Sequence, residues 1–264
     1  MAHGIGLSAA HNYFVPVFLP TDISNLVLHL GYKSGYIAVD DDTIEDDAID
    51  DGDSIKQWSD KTSNENHAVQ SNNADRPKYN SDTGYKSIIF KNNAEFFDLT
   101  SAITISANTD FTVAVRIAFA NINTDSVFGS SSTNFLSIID NNSFTILIND
   151  STVNNFDHSS ETIKLNRDYI IVVTRTGGSL GSLSIYVKDV KVGTGGLAEV
   201  NWGVESALPG DPQEFVIDNI GCDADDTNPL NANMKDFLVW NGTAANQQER
   251  KLLYEYLTSS FNNN

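Results

Sequence analysis

The sequence predicts an all-β sandwich closed by a single C-terminal helix, and three observations carry that prediction. Phe111-Thr-Val113-Ala-Val115-Arg-Ile117-Ala-Phe119 alternates large apolar residues with small or polar ones over nine positions. A period of two places every second side chain on one face, as a strand requires and a helix forbids. Further runs of the same kind follow at short spacing, with no helical pattern between them, which excludes βαβ architecture. Only near the end does a helical period set in.

Taken in order, Pro20-Thr-Asp-Ile-Ser-Asn-Leu26-Val-Leu-His-Leu30 reads as the first strand of the domain proper. Residues 40–53 carry nine carboxylates, Asp40, Asp41, Asp42, Glu45, Asp46, Asp47, Asp50, Asp51 and Asp53, and read as a solvated loop, since burying such charge density is very costly. After the Phe111 strand, Phe144, Ile146 and Ile148 repeat the alternation, with Asn141-Asn142 marking a turn before them. Tyr169-Ile-Ile-Val-Val173 is continuously apolar and reads as central. Gly177-Gly178 separates it from Leu183, Ile185 and Val187, which face away from Ser184, Tyr186 and Lys188, so the pair reads as a hairpin. Met234 to Trp240 is a strand. Asn246 then caps a helix, with Glu249 completing a capping box and Leu252, Leu253, Tyr256 and Leu257 on one face.

The 264 residues fit one large β-domain, and 40% apolar content supplies a sizeable core. Two units are expected: an apolar arm over residues 1–18 and the sandwich over 19–264. The arm holds Tyr13, Phe14, Val15 and Phe18 without helical period. It reads either as a first strand lying on its own domain or as an assembly arm on a neighbouring subunit.

Charge and cysteine content exclude several function classes. With 35 acidic and 16 basic side chains the formal net charge is -19, a field that repels phosphate backbones and anionic lipid surfaces. Nucleic acid and membrane are therefore not expected as partners, and no stretch approaches a membrane span. The one cysteine, Cys222, excludes an internal disulfide and reads as a small half-buried filler. The first ten residues lack the basic start and apolar run of a signal peptide, so synthesis in a cytosol is expected.

The run Ile55-Lys-Gln-Trp58-Ser-Asp60-Lys61, continued by Asn66-His67-Ala68-Val-Gln70, precedes Arg76-Pro77-Lys-Tyr79 and then Ile88-Ile89-Phe90. Together with the Leu26–Leu30 segment and the strand-then-helix ending, it resembles concanavalin A-like (LamG-type) jelly-roll modules of the kind found in tailed-phage structural proteins. The resemblance touches residues 20–100 and 213–261. It implies a concanavalin A-like jelly-roll sandwich, a fold that hosts lectins, glycosidases, adhesion modules and virion proteins alike.

The residues themselves decide among these. Glucanases on this fold line a cleft with alternate carboxylates of one strand, and the closest spacing here, Glu214 to Asp218, lacks a third partner; Glu161 and Asp168 are too distant. No catalytic residue is assigned. The five histidines show no zinc spacing. His67 is expected to pin its loop by hydrogen bonds, and Trp58 and Trp240 to be core. Trp202, in a segment read as a loop, is the candidate glycan-stacking ring. No cofactor is expected apart from calcium, for which Asp223, Asp225, Asp226 and Asn228 are the candidate ligands. The expected function is a non-enzymatic virion structural protein, a capsid-decoration or tail-associated subunit held to other virion proteins or to its own copies by the N-terminal arm. The alternative is a carbohydrate-binding adhesion module for cell-surface glycans, and a glycoside hydrolase ranks third.

Overall fold

The computed structural model describes residues 18–31, 36–38, 50–81, 86–91, 94–148, 154–177, 182–190, 199–206, 213–223 and 228–259. They form two antiparallel sheets with one helix. The strands are β1 (Leu26–Gly31), β2 (Tyr36–Ala38), β3 (Ile55–Trp58), β4 (Ala68–Val69), β5 (Lys78–Asn80), β6 (Ser87–Lys91), β7 (Phe97–Ile105), β8 (Phe111–Phe119) and β9 (Asp125–Ser131). They continue with β10 (Asn134–Asp140), β11 (Ser143–Ile148), β12 (Asn154–Asp157), β13 (Asp168–Arg175), β14 (Ser182–Asp189), β15 (Val200–Ser206), β16 (Phe215–Ile220) and β17 (Asn231–Asn241). The helix α1 spans Gln247–Ser259.

One sheet runs β15-β14-β13-β8-β17-β6-β5, with β1 also paired to β17. The other runs β12-β11-β10-β9-β16-β7-β4-β3-β2. The facing sides carry the alternating apolar residues, among them Val113, Val115 and Ile117 of β8, Phe144 and Ile146 of β11, and Ile171 and Val173 of β13. Such interdigitating inner faces are what two stacked sheets bury. The sequence-predicted alternation is therefore observed, and so is the antiparallel pairing of β10 with β11 and of β13 with β14; Gly178 of the expected turn lies outside the described residues.

Two expectations change. β8 is buried on both faces rather than one, because α1 lies over its outer side. Leu253, Tyr254 and Leu257 pack there against Ala114, Ile170, Val172, Leu238 and Trp240. The buried helix face thus uses Tyr254, whereas Leu252 and Tyr256 are only half-buried. The cap is as expected: Asn246 Oδ1 accepts from the N–H groups of Gln248 and Glu249, at 2.9 and 3.1 Å, and Glu249 Oε2 accepts from Asn246 N–H at 2.8 Å.

The Trp58–Gln70 run is a structural hub. The buried Asp60 carboxylate accepts from the N–H groups of His29, Thr62 and Asn66 and from the Thr62 hydroxyl, at 2.6–3.1 Å. Four donors saturate a buried carboxylate and fix the loop against β1. His67 Nδ1 accepts from Asp60 N–H at 3.1 Å, the pinning role expected of it. Trp58 and Trp240 are fully buried.

Candidate functional site

The sandwich is closed along one side where the edge strands of the two sheets, β12 and β15, meet. The Phe156 ring of β12 lies so close to the β15 backbone that a Cβ on Gly203 would stand 2.8 Å from its Cδ1. Beyond this contact the space between the sheets opens into a cleft of about 150 Å³. It is lined by residues 160–164 of the β12–β13 connection, Arg167, Tyr169, Val187, Asp189, Val200 and Trp202.

The strand period explains why polar and apolar groups meet here. Tyr169 heads the inward series of Ile171 and Val173, and Asp189 ends the inward series of Leu183, Ile185 and Val187. The two stand opposite each other in the β13–β14 register. The apolar column between the sheets thus ends in a phenol and a carboxylate. Asp189 is 5% exposed and paired: Arg167 Nε donates to its Oδ1 at 2.8 Å, and Nη2 lies 2.7 Å from its Oδ2. This fork-on-fork arrangement neutralises the buried charge.

Tyr169 Oη accepts from Lys164 N–H at 2.9 Å, which leaves its own O–H to point elsewhere. Burial raises the Tyr169 phenol above its usual range; the Lys164 N–H works against this, and the carboxylates of Asp189 and Glu161 reinforce it. The hydroxyl therefore stays protonated and serves as a donor. The outer wall is set by His158, whose Nδ1 accepts from Glu161 N–H at 3.0 Å and from Ser160 N–H at 3.4 Å. The same imidazole packs against Trp202, centroids 5.6 Å apart, and Phe144 meets the indole edge-on at 5.1 Å. Two carboxylates, Glu161 and Asp189, and two cations, Lys164 and Arg167, line the cleft, so its charge balances.

The sequence-predicted site residues fall in different places. Trp202 lies on a strand, not a loop: Asn201 pairs with Tyr186 of β14, and Gly203 is required by the Phe156 contact. Its ring is 4% exposed and forms a wall of the cleft rather than an open platform. Of the assembly arm, Tyr13, Phe14 and Val15 lie outside the described residues. Phe18 is half-buried and meets Tyr256 of α1 edge-on at 6.4 Å. Of the calcium candidates, Asp225 and Asp226 lie outside the described residues. Asp223 is buried and its Oδ2 accepts from Asn228 Nδ2 at 2.8 Å. Among the described residues no three His, Cys, Asp or Glu side chains gather in a metal-holding group. Cys222 is fully buried.

Sequence reasoning missed Arg167, Tyr169 and Asp189 as site residues and passed over Glu161. One signal was present: Asp189 continues an inward apolar series, and a carboxylate in an inward slot marks a place where the core opens or pairs a charge.

No protein-family model matches the chain, and no curated protein matches it. Solved structures share its fold. A GH54 α-L-arabinofuranosidase soaked with a cyclic sulfate inhibitor matches at TM-score 0.62 and 11% identity, over 89% of this chain and 63% of its own. An arabinofuranosidase complexed with arabinofuranosyl-α-1,2-xylobiose matches at TM-score 0.57 and 10% identity, over 79% of this chain and 51% of its own. Domain 4 of AbnA, a GH43 extracellular arabinanase from Geobacillus stearothermophilus, in complex with arabinotriose, matches at TM-score 0.51 and 12% identity. That match covers 86% of this chain and 98% of the domain. The chain therefore spans less than two thirds of the length of either arabinofuranosidase. At such identities the likeness shows the fold, an all-β sandwich shared with carbohydrate-active proteins.

These findings correct two expectations. The virion structural subunit docked on other virion proteins is set aside, because the matched structures are arabinofuranosidases and an arabinanase domain. The expectation of a non-enzymatic chain falls with it, because glycoside hydrolases are among the proteins built on this fold.

Proposed function

We propose that the chain is a carbohydrate-recognition domain whose sandwich has concanavalin A-like jelly-roll topology and whose cleft between β12 and β15 receives a sugar ring. The observation that carries the reading is the composition of that cleft: an indole wall from Trp202 beside a hydroxyl donor, a guanidinium and two carboxylates. Sugar sites combine an apolar ring face with a few convergent hydrogen-bonding groups, as ligand pockets do in general. The jelly-roll reading is supported by β1 pairing with β17, which joins the two ends of the domain in one sheet, and by the Trp58–His67 hub.

Arabino-oligosaccharides are the first ligands to try, because the arabinanase domain that this chain matches almost end to end was solved with arabinotriose. A second reading, hydrolysis, is favoured by one observation: two carboxylates, Glu161 and Asp189, line the same cleft, and glycoside hydrolysis commonly uses such a pair. Calorimetric titration with arabinotriose and xylotriose, alongside a reducing-end assay on arabinan and arabinoxylan, tests both. Binding without release of reducing ends supports recognition. Release that Glu161→Gln abolishes assigns the cleft to catalysis. The absence of both binding and release sinks the proposal.

A further inference from the structure

We infer that the cleft selects a neutral sugar ring with adjacent free hydroxyls, and that Glu161 is the residue that rejects sugar acids. The inference rests on the carbohydrate reading of the cleft and names its ligand class.

Size sets the unit recognised. Pockets for drug-sized ligands run to roughly 300–1,000 Å³. A cleft of about 150 Å³ is well below that and admits one ring. The sugar is met as a single residue rather than as a threaded chain.

The hydrogen-bonding inventory sets the chemistry. The strong cation of the cleft, Arg167, spends two of its N–H groups on the Asp189 carboxylate, and its charge with them. It keeps N–H groups to donate, but no net charge to offer an anion. Tyr169 offers an O–H whose oxygen already accepts from the Lys164 backbone. Glu161 lines the cleft half-buried, and among the described residues no side chain donates to its carboxylate. Glu161, Tyr169 and Asp189 line the same cleft, and Tyr169 stands opposite Asp189 in the β13–β14 register.

The unspent groups of the lining are therefore donors, from Tyr169 and Arg167, and an anionic acceptor, Glu161. A hydroxyl both donates and accepts, so a pair of adjacent hydroxyls satisfies Glu161 and the Tyr169–Arg167 donors together. A carboxylate only accepts. Seated in the same place it faces Glu161 with like charge in a partly desolvated site, where repulsion is strongest. Lys164 is the rim's counterweight, but it is solvent-exposed, and an exposed ammonium on a flexible stem is screened and contributes little. The balance of the four charges thus favours a neutral ligand.

The test is an NMR titration of the full chain, following the Trp202 indole N–H. The panel is L-arabinose, D-xylose, D-galactose and D-glucose against D-galacturonate and D-glucuronate. Galactose and galacturonate differ only in the oxidation of C6, so their ratio isolates the charge. We expect at least one neutral sugar to bind and the uronates to bind at least tenfold more weakly. In Glu161→Gln, which keeps the size and an acceptor but removes the charge, the ratio of galactose to galacturonate affinity should shrink to threefold or less, whatever the change in the affinity for galactose itself. A uronate that binds the wild-type chain as tightly as the best neutral sugar overturns the inference and leaves the carbohydrate reading standing. So does an unchanged ratio in Glu161→Gln. If no sugar of the panel shifts the Trp202 signal, the carbohydrate reading of the cleft fails and the inference with it.

Discussion

His29 is 6% exposed on the outer side of β1, and its Nε2 has no hydrogen-bond partner among the described residues. It converges with Lys61 Nζ and Asp236 Oδ1 over Gly31: a Cβ there would stand 3.4, 3.0 and 2.8 Å from the three atoms. A side chain at position 31 would have to push the Asp236 and Lys61 side chains aside. Burial first, and the Lys61 ammonium second, lower the His29 pKa to about 3. An unfolded histidine titrates near 6.5, so between these values the unfolded chain binds the extra proton. Stability is then fully present above pH 6.5 and declines as pH falls towards 3, by up to about 1.4 kcal/mol per pH unit. His29→Phe removes this titration, and its stability from pH 6 to 4 should fall less steeply than that of the wild type. Parallel curves in urea denaturation across that range would refute the linkage. The cleft teaches a related lesson about single residues. Trp202 was legible as a candidate sugar contact because a lone tryptophan beside Asn201 and Gly203 stands out. Its burial was not legible, since Phe144 and His158, which cover it, lie more than forty residues upstream. Glu161 and Arg167 sit in a connection whose sequence has no period, so nothing local aims them at the cleft.

At the scale of elements, α1 is held to the sheet by one side chain more than by its apolar stripe alone. Arg250 donates to Glu199 through Nε and Nη2, each at 2.9 Å, and to the Ala245 carbonyl at 3.0 Å. Its guanidinium lies 3.5 Å from the ring centroid of Tyr186 on β14. Burial alone would raise the Glu199 pKa, but hydrogen bonds from Arg250 and Tyr254 and the charges of Arg250 and Lys188 outweigh it and hold the carboxyl below its ordinary value. That stability is present above the unfolded value near 4.5 and is lost as pH falls through the lower folded value. Arg250→Met removes the charged partner of the Glu199 carboxylate and leaves it the Tyr254 hydroxyl, and should cost about 2–4 kcal/mol at pH 7. The deficit should narrow below pH 4.5 in chemical denaturation, because the wild type loses the same contribution there; a constant deficit would mean that packing on Tyr186, not the ion pair, is what was lost. This anchor also explains why Tyr254 rather than Leu252 faces inward: its hydroxyl donates to Glu199 at 2.6 Å, a partner the helical period cannot see. The cap and the existence of α1 were legible in the Asn246–Glu249 pattern because capping is local. The β15 strand was not, because Gly203 imitates a loop signal while serving a contact between sheets. Gly203→Ala should force the Phe156 ring away and cost about 1–3 kcal/mol. The Trp202 indole signal should move with it, since the edge contact borders the cleft; an unmoved signal would uncouple the two.

Over the whole molecule, the fold was legible because its evidence is repeated in strand after strand, whereas the cleft is assembled once, from the β12–β13 connection and the ends of β13, β14 and β15. The same sum over the chain governs charge. A net charge of -19 makes the folded chain repel itself, because folding draws the carboxylates closer together. The interior ion pairs oppose this and are insulated from salt: Asp168 Oδ2 lies 3.0 Å from Arg116 Nη2 and 2.6 Å from Lys235 Nζ, with side chains only 2%, 12% and 10% exposed for Arg116, Asp168 and Lys235. Screening therefore acts mainly on the repulsive surface terms. The Debye length falls from about 30 Å at 0.01 M salt to about 8 Å at 0.15 M, less than the width of a domain. Raising sodium chloride between these values should raise Tm by roughly 2–4 °C, the equivalent of about 1 kcal/mol for a chain of this size. A Tm that falls with salt would mean that surface ion pairs, not repulsion, dominate the electrostatics. The same field extends to ligands. It slows the approach of any polyanionic polysaccharide at low salt, so a neutral polymer should bind with little salt dependence and an anionic one should bind, if at all, only as salt is added. Measuring arabinan against polygalacturonate at both ionic strengths separates this long-range effect from the local one at Glu161. Substitution of Glu161 changes the ratio between the sugars at any salt, whereas the field of the whole chain is screened away at 0.15 M.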